Sequence, residues 1–241
     1  MLCWGSFLNL VAYRLVSGDK LFGLRSFCPH CKKIIAWYDN IPVVSWIILL
    51  GKCRNCKAPI SFLYPLVELL TTGALMTLPY IPGRYHGAYF IFFSALIVSI
   101  RSDLETMLIS RYVTVFLIPL GLLFSSTDLL PITLTSSIAG IVLGYGSLFL
   151  ASKTFFFLTK KEGIGQGDLE LLAFIGSFVG FAGCWVTLFL GAVIGSIFGI
   201  TYITLTGKSR EVRIPFGPFL ALGAILYVLF REQLLFYIFG F

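Results

Sequence analysis

Two aspartates at the edges of long apolar segments are the residues best suited to chemistry in this chain. Asp103 follows one apolar segment, and Asp168 precedes another in the sequence Gly165-Gln166-Gly167-Asp168. The chain has only 11 acidic residues among 241, and a carboxylate beside hydrocarbon is costly and usually marks a functional site or a paired charge. Two carboxylates that meet can share one proton, so that one acts as a base and the other as an acid. Such a pair forms the catalytic dyad of an aspartic protease.

Each aspartate also has a purely structural interpretation. Asp103 can cap a helix or pair with Arg101, and Glu105 is the alternative carboxylate at this position. The glycines before Asp168 let a backbone approach closely, so an extended peptide substrate can lie against them. The same glycines can equally form a loop that ends in a helix cap.

Composition indicates that most of the chain lies in a membrane. Hydrophobic residues make up 58% and charged residues 12%, whereas about 25% charged residues is usual in soluble proteins. About 20 apolar residues cross a bilayer as a helix. The sequence therefore predicts an all-α polytopic membrane protein with about eight transmembrane helices and the lipid bilayer as a partner. The predicted spans are 1–16, 62–82, 87–101, 107–125, 131–152, 169–183, 185–206 and 216–238.

The basic residues predict the orientation. Every Lys and Arg except Arg84 and Arg231 falls in segments that alternation puts on one side of the membrane. These segments are 14–61, 101–111, 153–161 and 207–213. Because basic loops stay in the cytoplasm, both aspartates are predicted at the cytoplasmic face. The same distribution explains the net charge of +7 without a nucleic-acid partner.

Four cysteines predict a metal site in the main polar segment. Cys28 and Cys31 form one Cys-x-x-Cys pair, and Cys53 and Cys56 form a second. Two residues between cysteines let a tight turn direct both sulfurs to one ion, which is typical of tetrathiolate zinc. Four thiolates leave no open position, so the zinc would be structural. The cysteines can alternatively form two disulfides or remain four free thiols. A reducing cytoplasm disfavours the disulfides.

These features divide the chain into three parts. The prediction is a first transmembrane helix at 1–16, a small cytoplasmic zinc-binding domain with four cysteine ligands at 17–61, and an intramembrane protease domain at 62–241. Near the last span, Pro215 and Pro218 flank Phe216-Gly217 and oppose a regular helix. Irregular backbone at membrane depth is tolerated where it lines a cavity, so Pro215 and Gly217 are candidate substrate contacts.

Together these motifs resemble the type IV prepilin leader peptidases, intramembrane aspartyl proteases with a Gly-x-Gly-Asp motif. The blocks that carry the resemblance cover nearly the whole chain. They are Gly5-Ser6-Phe7-Leu8-Asn9 with Tyr13-Arg14-Leu15, the cysteine segment with Trp37 to Pro42, Tyr64 to Glu68, Asp103, Gly165 to Asp168, and Ile214 to Phe219. The chain departs from the family pattern at Ser110-Arg111, where Pro-Asp is frequent, at Glu170, where Lys is usual, and at Val16, where Pro is usual.

The resemblance implies a bacterial inner-membrane enzyme whose catalytic residues are Asp103 and Asp168. Its substrates are type IV prepilins and type II secretion pseudopilins, which are cut at the cytoplasmic face between a basic leader and a hydrophobic helix. Many members also methylate the new N-terminus, and that activity, where present, uses S-adenosylmethionine. The chain shows no glycine-rich nucleotide motif for such a donor.

The sequence also leaves other interpretations of its acidic and glycine residues open. Gly165 and Gly167, with the acidic residues Glu68, Glu105 and Asp39, are candidates for contact with the substrate and its basic leader. An ion- or proton-coupled transporter could use both aspartates as relays. A methyltransferase or assembly scaffold without protease activity is a third interpretation, which two retained aspartates disfavour. The sequence predicts neither the oligomeric state nor the roles of acid and base within a coupled pair.

Overall fold

The described part of the chain is helical. The structure, a computed structural model, describes residues 1–18, 26–161, 163–207 and 214–240. Its α-helices are α1 Leu2–Ser17, α2 Val44–Ile48, α3 Leu63–Leu75, α4 His86–Thr106, α5 Ile118–Ser126, α6 Leu134–Thr159, α7 Gln166–Thr206, α8 Gly217–Leu229 and α9 Arg231–Phe239. In these ranges the only β-structure is two isolated bridges in the cysteine segment. The all-α prediction is confirmed there; most of the basic segment 207–213 lies outside the described residues, as does the stretch 19–25 of the predicted cysteine domain.

The number of spans differs from the prediction of eight. Among the described residues, three helices are long and apolar enough to cross a membrane: α4 with the turn before it, α6 and α7. The pair α8 and α9, bent by 97°, makes a fourth if it counts as one span. Eight spans are therefore not confirmed, because hydropathy measures apolar length without showing where a helix stops.

The predicted spans differ from the observed helices in two regions. The predicted span 107–125 begins with a non-helical segment, and its α-helical part starts only with α5 at Ile118. The predicted spans 169–183 and 185–206 lie in one element, α7, which is interrupted at Gly180 with φ 74° and ψ −174°. Ser136 of α6 accepts a hydrogen bond from the N–H of Phe181 at this break, at 3.2 Å. The break therefore keeps its polar backbone satisfied inside an apolar structure.

Small residues allow α6 and the first half of α7 to pack with their backbones in contact. A Cβ atom added to Gly176 would lie 2.2 Å from the carbonyl oxygen of Gly140. One added to Gly144 would lie 2.5 Å from the carbonyl oxygen of Leu172. Such close approach is the usual way in which membrane helices gain packing energy without a hydrophobic driving force. This contact holds the beginning of α7 in place.

An aromatic cluster joins α4 to the first half of α7. Phe92 of α4 lies 4.9 Å from Phe178 and 5.5 Å from Phe174, measured between ring centroids. All three side chains are fully buried, and each such pair contributes about 0.5–1.5 kcal/mol beyond its buried area. At about 1.5 Å per residue, Asp103 lies about 16 Å from Phe92 along α4, and Asp168 about 15 Å from Phe178 along α7. The two aspartates are therefore at similar distances along their helices from this cluster.

Candidate active site

Asp103 lies on the last turns of α4 and is buried. Its Oδ2 accepts a hydrogen bond from the backbone N–H of Gly217, at 3.0 Å. Gly217 is the first residue of α8, and the N–H groups of a first helical turn have no partner inside their own helix. The beginning of α8, including the irregular Pro215-Phe216-Gly217 sequence, is thus directed at the Asp103 carboxylate.

The side chain of Arg101 has other partners than Asp103, so the structure does not support the alternative interpretation in which these two residues pair. Arg101 is fully buried, and its Nε donates to Asn9 Oδ1 at 3.0 Å while Nη1 donates to Glu105 Oε2 at 2.6 Å. Its guanidinium lies 5.1 Å from the ring centroid of Tyr64, and Asn9 Nδ2 donates to the Tyr64 carbonyl at 3.1 Å. This cluster joins α1, α3 and α4 two residues before Asp103.

Asp168 is the third residue of α7 and is half-buried. Its N–H donates to the carbonyl oxygen of Gly165 at 3.2 Å, which closes the turn that starts the helix. A Cβ atom on Gly167 would lie 3.1 Å from Cβ of Ile109, so this glycine permits the loop after α4 to pack against the start of α7. The second aspartate therefore stands at a helix start that directly contacts the segment following the first.

Ile109 connects the surroundings of the two aspartates. Its Cδ1 would lie 3.1 Å from a Cβ on Gly217, and its Cβ 3.1 Å from a Cβ on Gly167. Gly217 binds Asp103, and Gly167 immediately precedes Asp168. The two carboxyl groups are close enough for their charges to interact. The ends of α4, α7 and α8 thus meet around one apolar side chain, with both acids beside it.

Two clefts flank this meeting point. One, of about 250 Å³, includes Pro215, Phe216 and Phe219 and is lined on its other side by α7, through Ala192, Gly195 and Ser196. The other, of about 240 Å³, is lined by Leu15, Val16, Leu108, Ile109 and Ser110. The first reaches the residue next to Gly217, and the second includes Ile109. Both clefts are lined mainly by apolar residues.

The predicted acidic substrate contacts are already engaged with the protein. Glu68 is buried, and its Oε2 accepts from the N–H of Val43 at 2.7 Å. Glu105 is partly exposed and binds Arg101. Asp39 forms a two-pronged ion pair with Arg54, whose hydrogen bonds lower the pKa of the Asp39 carboxyl. Contact of any of these with substrate stays a prediction.

Four cysteine side chains form a cluster in the polar segment. The sulfurs of Cys28, Cys31, Cys53 and Cys56 all lie within 4.8 Å of one another, and no disulfide joins them. Cys28 and Cys56 are 3.8 Å apart at sulfur. A tetrahedral site with zinc–sulfur bonds of about 2.3 Å requires sulfurs about 3.8 Å apart. The cluster is close enough to bind a metal ion and fits zinc.

The backbone around each cysteine pair has the same hydrogen bonds. Cys28 N–H donates to Lys33 O and Lys32 N–H to Cys28 O, at 3.0 and 2.9 Å. The corresponding bonds at the second pair run from Cys53 to Ala58, at 2.9 Å, and from Lys57 to Cys53, at 3.0 Å. Lys32 and Lys57 both have left-handed φ, 57° and 60°.

These repeated turns direct backbone N–H groups towards sulfur. Hydrogen bonds from the N–H groups of Cys56 and Asn55 lower the pKa of the Cys53 thiol to about 7. At Cys56 the N–H of Ala58 acts in the same direction, but burial and the hydrogen bonds with the other cysteines outweigh it and raise the pKa of that thiol to about 11. A lowered thiol pKa favours the thiolate that a metal requires.

Several residues around the aspartates escaped sequence analysis. Asn9 was noticed only within a motif, yet it is buried and holds Arg101. Ile109 has no polar signal at all. Arg111 pairs with Glu170 at 2.7 Å; both were noted only as departures from a family pattern. The opposite charges of Arg111 and Glu170, at two positions that depart from the family pattern, indicate that these side chains can be in contact.

Comparison with known proteins identifies the family to which the chain is similar. Residues 1–81 match the bacterial peptidase A24 N-terminal domain, and residues 90–200 match the type IV leader peptidase family. No solved structure matches the chain.

Named relatives cover most of this chain. A prepilin leader peptidase/N-methyltransferase of Aeromonas hydrophila is 37% identical, over 87% of this chain and 73% of its own. One of Pseudomonas aeruginosa is 32% identical over 95% and 88%. A type 4 prepilin-like proteins leader peptide-processing enzyme of Escherichia coli is 34% identical over 92% and 88%. None of these comparisons favours the transporter interpretation, and the chain belongs to the type IV leader peptidase family.

Proposed function

We propose that this protein is a prepilin leader peptidase, an aspartic endopeptidase that removes the leader of type IV prepilins and pseudopilins. The observation that carries the proposal is the meeting of the ends of α4, α7 and α8 around Ile109, with Asp103 and Asp168 on either side. Family membership supplies the substrate class, since the relatives are named for prepilin leaders. The proposed location is the bacterial inner membrane, with the site at the cytoplasmic face.

The proposed reaction has no covalent enzyme intermediate. An ionised aspartate of the pair takes a proton from a water molecule, whose oxygen attacks the carbonyl carbon of the scissile peptide. The other, protonated aspartate donates a hydrogen bond to the carbonyl oxygen. Collapse of the tetrahedral intermediate breaks the C–N bond, and a proton from the pair goes to the leaving amine. Burial beside apolar side chains excludes competing water and strengthens these hydrogen bonds.

The substrate is proposed to lie across the two clefts. Gly165 and Gly167 present a backbone that an extended chain can approach, and Pro215 and Gly217 border the cleft between α7 and α8. The phenylalanines of that cleft suit the apolar residues that follow the scissile bond. The N-methyl transfer named for the relatives would use S-adenosylmethionine; no residue is assigned to it.

The chain is proposed to have three parts. These are a first membrane helix at 1–16, a cysteine domain at 17–61 and a protease domain at 62–241. Zinc is the proposed ion of the four cysteines, with a structural role. It would hold the two turns together in a segment too small to build its own apolar core.

The test is cleavage of a purified prepilin in detergent, with mass spectrometry of the products. Asp103→Asn and Asp168→Asn each keep the side-chain shape and remove the acid. We expect each to lower kcat by about 10²- to 10⁴-fold, the usual value of general acid–base catalysis. Asp128→Asn is the matched control, because Asp128 is exposed and its left-handed φ of 54° tolerates Asn.

The outcomes separate the alternatives. The proposal is supported if the wild type and Asp128→Asn cleave the prepilin while the folded Asp103→Asn and Asp168→Asn variants do not. Unchanged cleavage in either variant removes that aspartate from the mechanism and makes Glu105 the next candidate. Absence of cleavage by the folded wild type contradicts the proposed function.

A further inference from the structure

Arg111 and Glu170 form an ion pair next to the candidate active site. Arg111 Nε and Nη2 donate to the same oxygen, Oε1 of Glu170, at 2.9 and 2.7 Å. Gln166 Nε2 donates to that oxygen as well, at 3.0 Å. Three donors thus converge on one carboxylate oxygen. Charge-assisted bonds of this kind have a defined geometry as well as energy.

The two partners belong to the segments that carry the aspartates. Arg111 is in the loop that follows Asp103, two residues after Ile109. Glu170 is in the same first turns of α7 as Asp168, and its side chain is 7% exposed. A carboxylate buried to that extent needs partners to offset its desolvation. The ion pair therefore ties the loop after α4 to the start of α7.

The loop between α4 and α5 is held by packing as well as by the ion pair, since Val113 and Thr114 are buried. Met107 ends α4 with a left-handed φ of 54°, and no α-helix begins again before Ile118. Ile109 of this loop packs beside Gly167, which precedes Asp168, and beside Gly217, which binds Asp103. A shift of the loop therefore changes the packing next to both aspartates.

We propose that Arg111 and Glu170 are positioning residues: their ion pair sets the relative placement of Asp103 and Asp168 for catalysis. This inference rests on the proposed function. The Arg111 side chain is 62% exposed, so the pair is worth little as a surface attraction. Its effect on rate is larger, because a displacement of about 1 Å at a reacting group costs on the order of 100-fold.

The experiment is a charge-reversal cycle in the full-length protein in detergent. Arg111→Glu, Glu170→Arg and the double variant are compared with the wild type for kcat, KM and thermal midpoint, per folded molecule. We expect each single variant to lower kcat on the order of 10-fold, with KM changed by less than about 3-fold. The double variant restores opposite charges and should recover most of kcat. Lys153→Gln, which removes an exposed charge on α6, is the control for loss of one positive charge.

Each outcome bears on the inference. Recovery of kcat in the double variant supports positioning, because a role in folding alone would change the thermal midpoint and leave kcat per folded molecule intact. Unchanged kcat in the single variants, an effect on KM alone, or no recovery in the double variant overturns it. If the wild type cleaves normally in these cases, the proposed function stands. If the wild type fails to cleave, the proposed function fails and the inference with it.

Discussion

Replacement of Gly217 by alanine is the sharpest test of how Asp103 is held. A Cβ atom at this position would lie 2.8 Å from Asp103 Oδ2 and 3.1 Å from Ile109 Cδ1. Ordinary contact for a Cβ begins near 3.4 Å. The carboxylate oxygen must therefore retreat by about 0.6 Å, and the hydrogen bond from the Gly217 N–H, 3.0 Å long, must lengthen or bend.

The size of the effect on rate follows from that displacement. If a misplacement of about 1 Å costs about 100-fold, then about 0.6 Å costs on the order of 10-fold in kcat. This corresponds to about 1.4 kcal/mol in activation free energy. Folding should be affected much less, because alanine is favoured over glycine in a helix by up to about 1 kcal/mol, which offsets the crowding. Gly217→Ala should therefore fold and lose activity.

The assay compares Gly217→Ala with a glycine that has free space. Gly146 of α6 has no heavy atom within 4 Å of an added Cβ, so Gly146→Ala should keep its activity and raise stability slightly. Initial rates of prepilin cleavage and thermal midpoints are measured for both. Full activity in Gly217→Ala would refute the reasoning, because it would mean that the Asp103–Gly217 contact does not constrain catalysis. Unfolding of Gly217→Ala alone would contradict the predicted stability.

Three further predictions concern stability and metal. Cys53→Ser should lower bound zinc from about one ion per chain towards none, because a tetrathiolate site needs all four ligands. Asn9→Leu should destabilise the protein by about 2–4 kcal/mol, since it leaves the buried, charged Arg101 Nε without its partner. Gly176→Ala should destabilise by about 3 kcal/mol or more, because its Cβ would lie 2.2 Å from the Gly140 backbone, which cannot move cheaply. Measurements for these variants are elemental analysis for zinc and thermal midpoints in detergent. Equal zinc in wild type and Cys53→Ser would exclude the tetrathiolate site, and an unchanged midpoint in Asn9→Leu would show that Arg101 does not depend on this bond. A midpoint for Gly176→Ala equal to that of Gly146→Ala would contradict backbone contact between α6 and α7.

Local sequence patterns predicted those features that depend on residues close together in the sequence. The spacing of Cys28, Cys31, Cys53 and Cys56 predicted a sulfur cluster, and the structure brings these sulfurs together. Apolar segments predicted helices, of which α4 and α6 agree well with the expected positions. The eight predicted spans are not confirmed, because apolar length alone does not show where a helix begins, as in the non-helical segment before α5.

The sequence by itself determined most of the helical segments, the positions of the clustered cysteines and the positions of the two acids, since these properties follow from composition, spacing and periodicity. Only the tertiary structure decided what each acid meets. Asp103 binds Gly217, 114 residues away, and Arg111 binds Glu170, 59 residues away. Neither contact has a periodic signal, because each depends on the register in which α4, α7 and α8 pack. That register is set by buried aromatic rings and by glycines where backbones touch, and packing of this kind is a property of the folded whole.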